Sequence, residues 1–350
     1  MGYELCDKIK HMTPYEPISG SYPIRLDANE SFLQPDEMLQ LKIIEAVAGV
    51  SMNRYPDALA ADVCAAFAKR FQVQPENVVA GNGSDELISV IIAGMLQKGE
   101  PLLTLAPDFS MYRFYGELQE LNLVTLQKGK DLTVTAKEII KAAKQAGAKA
   151  IIFSNPCNPT SLMMDAKDVL ELAEQTDALV IVDEAYMDFS DQSILCKAPE
   201  LDNVIVLKTC SKAMGAAALR LGFAVTNTKI ANALRAAKSP YNTDALSQAI
   251  GTVLLGEDEY LDYCVSAIKC SRDILYEGLT RLAEFKKNSI IKVYKPQTNF
   301  ILIELVDAKA CFSELLKLGI VVRLMGDCLR ITAGTDVENA SLLSALAKLL

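Results

Sequence analysis

Tryptophan is absent from this chain of 350 residues, and histidine occurs once, at His11. A single histidine near the N-terminus argues against a histidine-based metal site and against a Ser-His-Asp triad. Cysteine occurs nine times, an odd number, and no two cysteines form a C-x-x-C pair. This pattern is typical of buried thiols in a reducing compartment rather than of a disulfide framework.

Signals for membranes and nucleic acids are also missing. The N-terminus lacks the apolar stretch of a signal peptide, and no apolar run is long enough to cross a membrane. The formal net charge of -9 argues against a basic surface for nucleic acid. With 51% hydrophobic and 23% charged residues, the composition is that of a globular protein. We therefore predict a cytoplasmic protein of the size of an enzyme, without nucleic-acid or membrane partners.

Short apolar runs alternate with stretches of helical periodicity up to about residue 225. The runs that indicate strands are residues 78–80, 102–105, 122–126, 150–153, 178–182, 203–207 and 223–225. Strands separated by helices in this way predict an α/β fold, with a mostly parallel sheet covered by helices on both faces. A long helix near 260–285 then leads to a smaller α+β unit with strands near 290–293, 299–304, 320–323 and 328–332. We predict a large domain of residues 32–260 and a small domain formed by residues 1–31 and 261–350.

Lys212 follows one of these runs and lies between hydroxyl groups and a run of small residues. Ser211 precedes it directly, Thr209 lies three residues before it, and Arg220 lies eight residues after it. A lysine amine with a lowered pKa can form a Schiff base with an aldehyde cofactor. Hydroxyls and an arginine nearby suit a phosphate group. The alternative is a surface lysine beside a helix start that Ser and Thr cap.

Asp183 comes directly after the apolar run 178–182. A carboxylate at the end of a buried strand is costly unless a cation or a strong donor meets it. A protonated pyridine nitrogen would be such a partner, and Tyr186 could donate to an oxygen on the same ring. A capping aspartate and a core tyrosine are the alternative.

Three other polar turns follow predicted strands, where ligands bind in sheets of this kind. The turn 81–86 places Ser84 at a helix start and could seat an anion; a plain capped turn is the alternative. The turn 155–160 carries two Asn-Pro pairs that direct Asn158 outward, and a tight loop is the alternative. Phe109 could stack on a flat ring, or it could be a core phenylalanine.

Two arginines end apolar runs in the C-terminal unit, Arg323 and Arg330. A strand-borne arginine that reaches a cleft can bind a carboxylate or a phosphate through two hydrogen bonds. Tyr15 and Tyr55, both on polar turns, could add hydroxyls to the same anion. Solvated edge charges and surface aromatic packing are the alternatives.

Taken together, these segments resemble the histidinol-phosphate aminotransferase family, a group of fold type I pyridoxal-phosphate-dependent transferases. The resemblance covers nearly the whole chain and keeps the order of the motifs. The matching segments are LDANES at 26–31, NRYPD at 53–57, GNGSDE at 81–86, PDFSMY at 107–112, NPCNPT at 155–160, DEAY at 183–186, CSKAMGAAALRLG at 210–222, PYN at 240–242, TNF at 298–300 and LRIT at 329–332.

The resemblance implies a role for each candidate residue. Lys212 would bind pyridoxal 5'-phosphate as a Schiff base, and Asp183 would pair with the ring nitrogen. Asn158 and Tyr186 would hold the ring oxygen, while Phe109 would stack on the ring face. The cofactor phosphate would be bound by Ser84, the backbone N–H of Asp85, Thr209, Ser211 and Arg220. Family members are homodimers with shared active sites, so Tyr55 would reach the phosphate of the neighbouring subunit, and the substrate would be bound by Tyr15, Asn29, Arg323 and Arg330.

The implied reaction is transamination between histidinol phosphate and 2-oxoglutarate in histidine biosynthesis. The chain departs from the usual family pattern at Cys157, at Ser161 in place of a glycine, and at 215–218. Because of these departures, an aromatic amino acid aminotransferase and a threonine-phosphate decarboxylase stay open. Outside the family, a dinucleotide-dependent oxidoreductase would lack a lysine adduct, and its glycine fingerprint is incomplete here. A regulatory protein on this fold would carry an added DNA-binding domain.

Overall fold

The computed structural model describes residues 2–10, 12–14, 16 and 18–350. The first elements along the chain are α1 (Asp7–Lys10), β1 (Ile24–Arg25), α2 (Glu37–Ala48) and α3 (Ala61–Phe71). The α2 helix starts at Glu37 because the Asp36 side chain caps it by accepting a hydrogen bond from the backbone N–H of Leu39.

Seven strands form the large sheet. They are β2 (Val78–Asn82), β3 (Pro101–Ala106), β4 (Asn122–Gln127), β5 (Ala150–Ser154), β6 (Leu179–Asp183), β7 (Val204–Thr209) and β8 (Leu221–Thr226). Their order is β2-β8-β7-β6-β5-β3-β4, and β8 runs antiparallel to both of its neighbours. The other neighbouring pairs are parallel, so the prediction of a mostly parallel sheet is confirmed.

Helices cover both faces of this sheet. They are α4 (Gly83–Met95), α5 (Met111–Leu118), α6 (Ala136–Ala146), α7 (Ala166–Glu174), α8 (Thr228–Ala237) and α9 (Ala245–Leu255). Strand side chains alternate between faces, so Val204 and Val206 pack with α3, α6, α7 and α9, while Ile205 and Leu207 pack with α4, α5 and α8. All four side chains are fully buried, and burial of each contributes about 1.5–3 kcal/mol. A strand buried on both faces explains why the runs are continuously apolar.

The C-terminal part begins with the long helix α10 (Asp258–Phe285). The remaining elements are β9 (Ile290–Val293), β10 (Phe300–Leu305), α11 (Ala308–Lys317), β11 (Ile320–Val321), β12 (Arg323–Met325), β13 (Cys328–Thr332) and α12 (Asp336–Leu349). An antiparallel sheet has the order β12-β13-β10-β9, and β1 pairs with β11 in a separate parallel ribbon. The predicted strand at 320–323 is therefore wrong as one element, because its two halves pair with different partners on either side of Val322.

The N-terminal arm joins this C-terminal sheet through the backbone of Leu26. Its N–H donates to the Val321 carbonyl at 2.8 Å, and its carbonyl accepts from the Thr332 N–H at 2.9 Å. Helix α10 spans both cores, since Leu261 packs with the large sheet and Leu275 packs with the C-terminal sheet. The arm thus lies where a discontinuous small domain would place it, and the boundaries at 31/32 and 260/261 stay predictions.

Two sequence expectations concern thiols and membranes. All nine cysteines lie among the described residues, and all nine are free. Within the part of the chain that the structure describes, no helix is both long and apolar enough to span a membrane.

Candidate active site

The candidate residues gather at the carboxyl ends of the parallel strands. Strand β2 ends one residue before Gly83, β5 ends at Ser154, β6 ends at Asp183 and β7 ends at Thr209. Because these strands run in one direction, the residues that follow them meet at one edge of the sheet. The backbone therefore brings the turns 81–86, 107–112, 155–160, 183–186 and 209–212 together.

A close approach of two backbones builds the first part of the site. Thr209 pairs with Gly222 in the β7–β8 ladder, and Gly222 pairs with Gly81 in the β8–β2 ladder. A Cβ atom on Gly222 would lie 2.3 Å from the backbone nitrogen of Ser84, so only glycine fits here. The sheet thereby holds Thr209 and the start of α4 on either side of one glycine.

Arg220 completes this group. Its φ of +48° turns the chain, and its Nη2 atom would lie 2.9 Å from a Cβ placed on Gly83. Thr209 and Ser211 are linked by a hydroxyl hydrogen bond of 3.0 Å. The first backbone N–H groups of α4 have no acceptor within the helix, and the helix dipole adds positive charge there. The Arg220 guanidinium, the hydroxyls of Thr209 and Ser211 and the N-terminus of α4 together form a site that can bind a phosphate monoester, which we call the anion seat.

The Asp85 side chain is directed away from this seat. Its Oδ2 atom accepts a hydrogen bond from the Tyr115 hydroxyl at 2.8 Å. The group of Asp85 that lies at the helix start is its backbone N–H, as the sequence predicts. The structure brings Ser84, Thr209, Ser211 and Arg220 close together, and their contact with a phosphate stays a prediction.

Asp183 is buried, and the donors that meet it are neutral. The Tyr112 hydroxyl donates to its Oδ2 atom at 2.9 Å, and the Ala185 N–H donates to its Oδ1 atom at 3.0 Å. Burial raises the pKa of Asp183 to about 6, although both hydrogen bonds oppose that rise. A cationic nitrogen at this carboxylate would offset the cost of burying the charge, which fits a pyridinium ring.

Lys212 lies beside Tyr186 and the N-terminal arm. Its Nζ atom donates to the Ala28 carbonyl at 3.0 Å and lies 5.8 Å from the centre of the Tyr186 ring. The Tyr186 hydroxyl accepts a hydrogen bond from the Asn29 amide at 2.8 Å. These contacts bring Lys212, Tyr186 and Asn29 together, and they place Asn29 where it orients the tyrosine hydroxyl.

Asn158 is tied to the C-terminal sheet by Arg330. The Nη1 atom of Arg330 donates to Asn158 Oδ1 at 2.6 Å, and its Nη2 atom donates to the Asp27 carbonyl at 2.6 Å. This contact uses the amide oxygen of Asn158 and leaves its NH2 group as the donor for a ring oxygen. Arg323 lies directly opposite Arg330 in the β12–β13 ladder, so both side chains leave the same face of the sheet.

The aromatic candidates differ in their placement. Phe109 is half-buried and packs edge to face with Tyr112, with ring centres 5.5 Å apart. Tyr55 is 81% exposed and stacks on Tyr241 at 4.7 Å, so the described part of one chain does not bring it to the anion seat. Tyr15 lies outside the described residues.

Two residues of the site, Tyr112 and Glu86, were not predicted from the sequence. Tyr112 ends the PDFSMY segment, from which Phe109 alone was singled out, yet it is Tyr112 that donates to Asp183. Glu86 holds the turn 81–86 by accepting from the Asn82 N–H at 2.6 Å and from the Asn242 amide at 2.7 Å. The helical spacing of Phe109 and Tyr112 is the signal that could have identified the first. The second depends on Asn242, which lies 156 residues from Glu86 in the chain.

Comparisons with known proteins agree with this geometry. The family model described as aminotransferase class I and II matches residues 23–346. A histidinol-phosphate aminotransferase of Clostridium kluyveri is 40% identical over 347 residues, which cover 98% of this chain and 97% of that protein. One of Clostridium novyi is 36% identical, with 97% and 95% of the two chains covered.

A solved structure of histidinol-phosphate aminotransferase from Sinorhizobium meliloti, in complex with pyridoxal-5'-phosphate, superposes with a TM-score of 0.90. It is 23% identical and covers 100% of this chain and 98% of its own. The fold predicted from the sequence is thereby confirmed. The chain belongs to the aminotransferase class I and II family.

Proposed function

We propose that this protein is a pyridoxal-phosphate-dependent aminotransferase that converts histidinol phosphate and 2-oxoglutarate to imidazole acetol phosphate and glutamate, a step of histidine biosynthesis. The observation that carries the proposal is the 40% identity, across 98% of the chain, to a relative that bears this name. The site supports it, since a phosphate seat, a buried carboxylate and a lysine amine are the three groups that pyridoxal phosphate requires.

Asp183 and the residues around it set the electronics of the site. Bound pyridoxal phosphate supplies an electron sink for the Cα–H bond of an amino donor. The Asp183 carboxylate would stabilise positive charge on the ring nitrogen, and the Tyr112 hydroxyl keeps that carboxylate oriented. Asn158 and Tyr186 would hold the ring oxygen, and Asn29 in turn orients the Tyr186 hydroxyl.

Lys212 moves the proton. Its Nζ atom would remove the proton from the substrate Cα as a general base. The position of Nζ beside Tyr186 and the Ala28 carbonyl supports this role. The Ala28 carbonyl accepts a hydrogen bond from Nζ and so holds the Lys212 amine in a defined position.

Arg323 and Arg330 bind the anionic end of each substrate. Their register in the β12–β13 ladder, in which Arg323 lies directly opposite Arg330, supports this assignment. Two planar guanidinium groups can donate hydrogen bonds to a phosphate ester in one half-reaction and to a carboxylate in the other. This dual use explains how one pocket serves histidinol phosphate and 2-oxoglutarate.

A homodimer with shared active sites completes the proposal. Exposed apolar side chains cluster on α2 and on the segment that follows it, where 55–81% of each side chain's surface is open. They are Met38, Leu41, Ile44, Met52, Tyr55 and Leu59. A surface of this kind is typical of a protein–protein interface. In the dimer the Tyr55 hydroxyl reaches the cofactor phosphate of the partner subunit.

The small-molecule partners are therefore an amino donor and a 2-oxo acid, and the proposed location is the cytoplasm. Nine free cysteines, five of them buried, support a reducing compartment.

A single-turnover panel of amino donors tests the substrate. Histidinol phosphate, phenylalanine and phosphothreonine are each mixed with the cofactor-loaded protein, and the spectral change of the bound cofactor is followed. We expect histidinol phosphate to react fastest, with amino transfer to 2-oxoglutarate. Faster reaction of phenylalanine would favour an aromatic aminotransferase, and release of carbon dioxide from phosphothreonine would favour the decarboxylase.

A further inference from the structure

A buried ion pair lies beneath two loops of the site and takes no part in the proposed reaction. Lys128 follows β4, Asp108 follows β3, and these two strands are neighbours. The Lys128 Nζ atom lies 3.5 Å from Asp108 Oδ2, and the two side chains are 5% and 2% exposed. Such a pair is costly to desolvate, so its geometry must supply compensating hydrogen bonds.

The Asp108 carboxylate supplies those bonds, and each leads to a proposed cofactor contact. Its Oδ1 atom accepts from the backbone N–H of Phe109 at 2.8 Å and from the hydroxyl of Ser154. The Ser154 Oγ atom accepts in turn from the backbone N–H of Asn158 at 3.0 Å. One carboxylate oxygen therefore holds both the ring-stacking residue and the residue assigned to the ring oxygen.

Lys128 also contacts the two loops that contain Phe109 and Asn158. Its Nζ atom lies 2.9 Å from the Sγ atom of Cys157, the residue that precedes Asn158. Its backbone N–H donates to the Ala106 carbonyl at 2.8 Å. Burial raises the pKa of the Asp108 carboxyl, and the Lys128 ammonium opposes that rise. The ammonium thus keeps a charged acceptor in place at Asp108.

We propose that Asp108, held by Lys128, is a positioning residue that sets Phe109 and Asn158 in place against the cofactor ring. This inference rests on the proposed function. The face contact of Phe109 and the edge contact of Asn158 are then coupled, because both depend on one carboxylate. Neither Asp108 nor Lys128 touches the cofactor.

The test uses Ser154→Ala, which breaks the link to Asn158 and leaves the ion pair and the Phe109 bond intact. A second variant, Asp108→Asn with Lys128→Met, removes both charges together, so that no unpaired charge is left buried. The matched control is Asp188→Asn with Lys208→Met. In that pair the Nζ–Oδ2 distance is 2.9 Å and the lysine and aspartate side chains are 4% and 15% exposed, but Lys208 packs over the Phe71 ring.

The readouts are the dissociation constant of pyridoxal phosphate from each apoprotein and the visible circular dichroism of the bound cofactor. We expect Ser154→Ala to raise the constant about tenfold, the effect of losing one hydrogen bond to a buried acceptor. The dichroism should weaken, since Asn158 no longer fixes the ring. The charge-free double variant should show a larger loss, while the control stays within about twofold of wild type.

Wild-type values in both Ser154→Ala and the charge-free variant would overturn the inference while leaving the proposed function intact. Failure of the wild-type protein itself to bind pyridoxal phosphate would overturn both. If the charge-free variant does not fold, Ser154→Ala alone decides, because its ion pair is unchanged.

Discussion

The Tyr112 hydroxyl donates to the Asp183 carboxylate across 2.9 Å, and both side chains are buried. Tyr112 lies in the first turn of α5, and Asp183 is the last residue of β6. The bond joins residues 71 positions apart in the chain. It connects the helix that follows the Phe109 loop to the carboxylate that is proposed to meet the ring nitrogen.

Replacing Tyr112 with phenylalanine tests this relationship. The tyrosine bond lowers the pKa of Asp183, which burial has raised to about 6. Loss of this hydrogen bond raises the pKa of Asp183 further, so a larger fraction of Asp183 is protonated near neutral pH. The pH below which cofactor binding weakens therefore rises. We expect several-fold weaker binding at about pH 6.5 and a smaller loss at about pH 8.5. Tyr294→Phe, which removes a bond to Glu304, is the control; superimposable profiles of the wild type and Tyr112→Phe would count against the role.

A second pH effect arises from Glu184. This side chain is buried, accepts from the Ser193 hydroxyl and the Ile194 N–H, and has its pKa raised by burial to about 7. A carboxyl with a raised folded pKa stabilises the fold below its unfolded pKa, and that stability is lost as the pH rises through about 7. Glu184→Gln removes the charge; its amide oxygen can still accept from the Ile194 N–H, while its NH2 group would donate to the Ser193 oxygen. It should reduce the fall in unfolding free energy of the apoprotein between about pH 5 and pH 8, by on the order of 3 kcal/mol.

Urea denaturation at several pH values measures this difference. Glu200, an exposed glutamate, provides the control, since Glu200→Gln should leave the pH dependence as it is. An equal fall in the wild type and in Glu184→Gln would show that Glu184 does not titrate in this range.

Ser161 occupies the position at which the family usually has glycine. Its φ is +63°, it is fully buried, and its hydroxyl lies 2.6 Å from that of Thr298 and accepts from the Gln297 N–H. Ser161→Ala keeps the left-handed strain and loses these bonds, so we expect a loss of about 1–3 kcal/mol in unfolding free energy. Ser161→Gly relieves the strain and should be about 1 kcal/mol more stable than the alanine variant. The opposite order in urea denaturation would refute this explanation.

Arg330→Lys tests the anion site. A lysine cannot donate to Asn158 and the Asp27 carbonyl together as the guanidinium does. We expect KM to rise about ten- to a hundredfold for histidinol phosphate and for 2-oxoglutarate, because both use this residue. Arg281→Lys, on the exposed face of α10, should leave both values near wild type. A rise for one substrate alone would show that the two anions bind at different residues.

The sequence predicted the sheet, and it singled out residues that the fold brings together, for one physical reason. Strands buried on both faces are continuously apolar, so Asp183 and Thr209 are conspicuous as the polar residues that end such runs. The break at Val322 was missed because residues 320–322 form one apolar run, and only tertiary pairing divides it. Long-range bonds such as those of Tyr112 with Asp183 and Ser161 with Thr298 leave no local pattern. The exposure of Tyr55 likewise depends on the fold and not on its neighbours in sequence.

The covalent role of Lys212 is tested most directly by borohydride reduction of the protein loaded with pyridoxal phosphate, followed by peptide mass mapping. The account predicts one reduced phosphopyridoxyl group per chain, on Lys212. Lys208, buried four residues earlier in a pair with Asp188, should stay unmodified and serves as an internal control. Modification of another lysine, or an equal adduct in Lys212→Ala, would contradict the account.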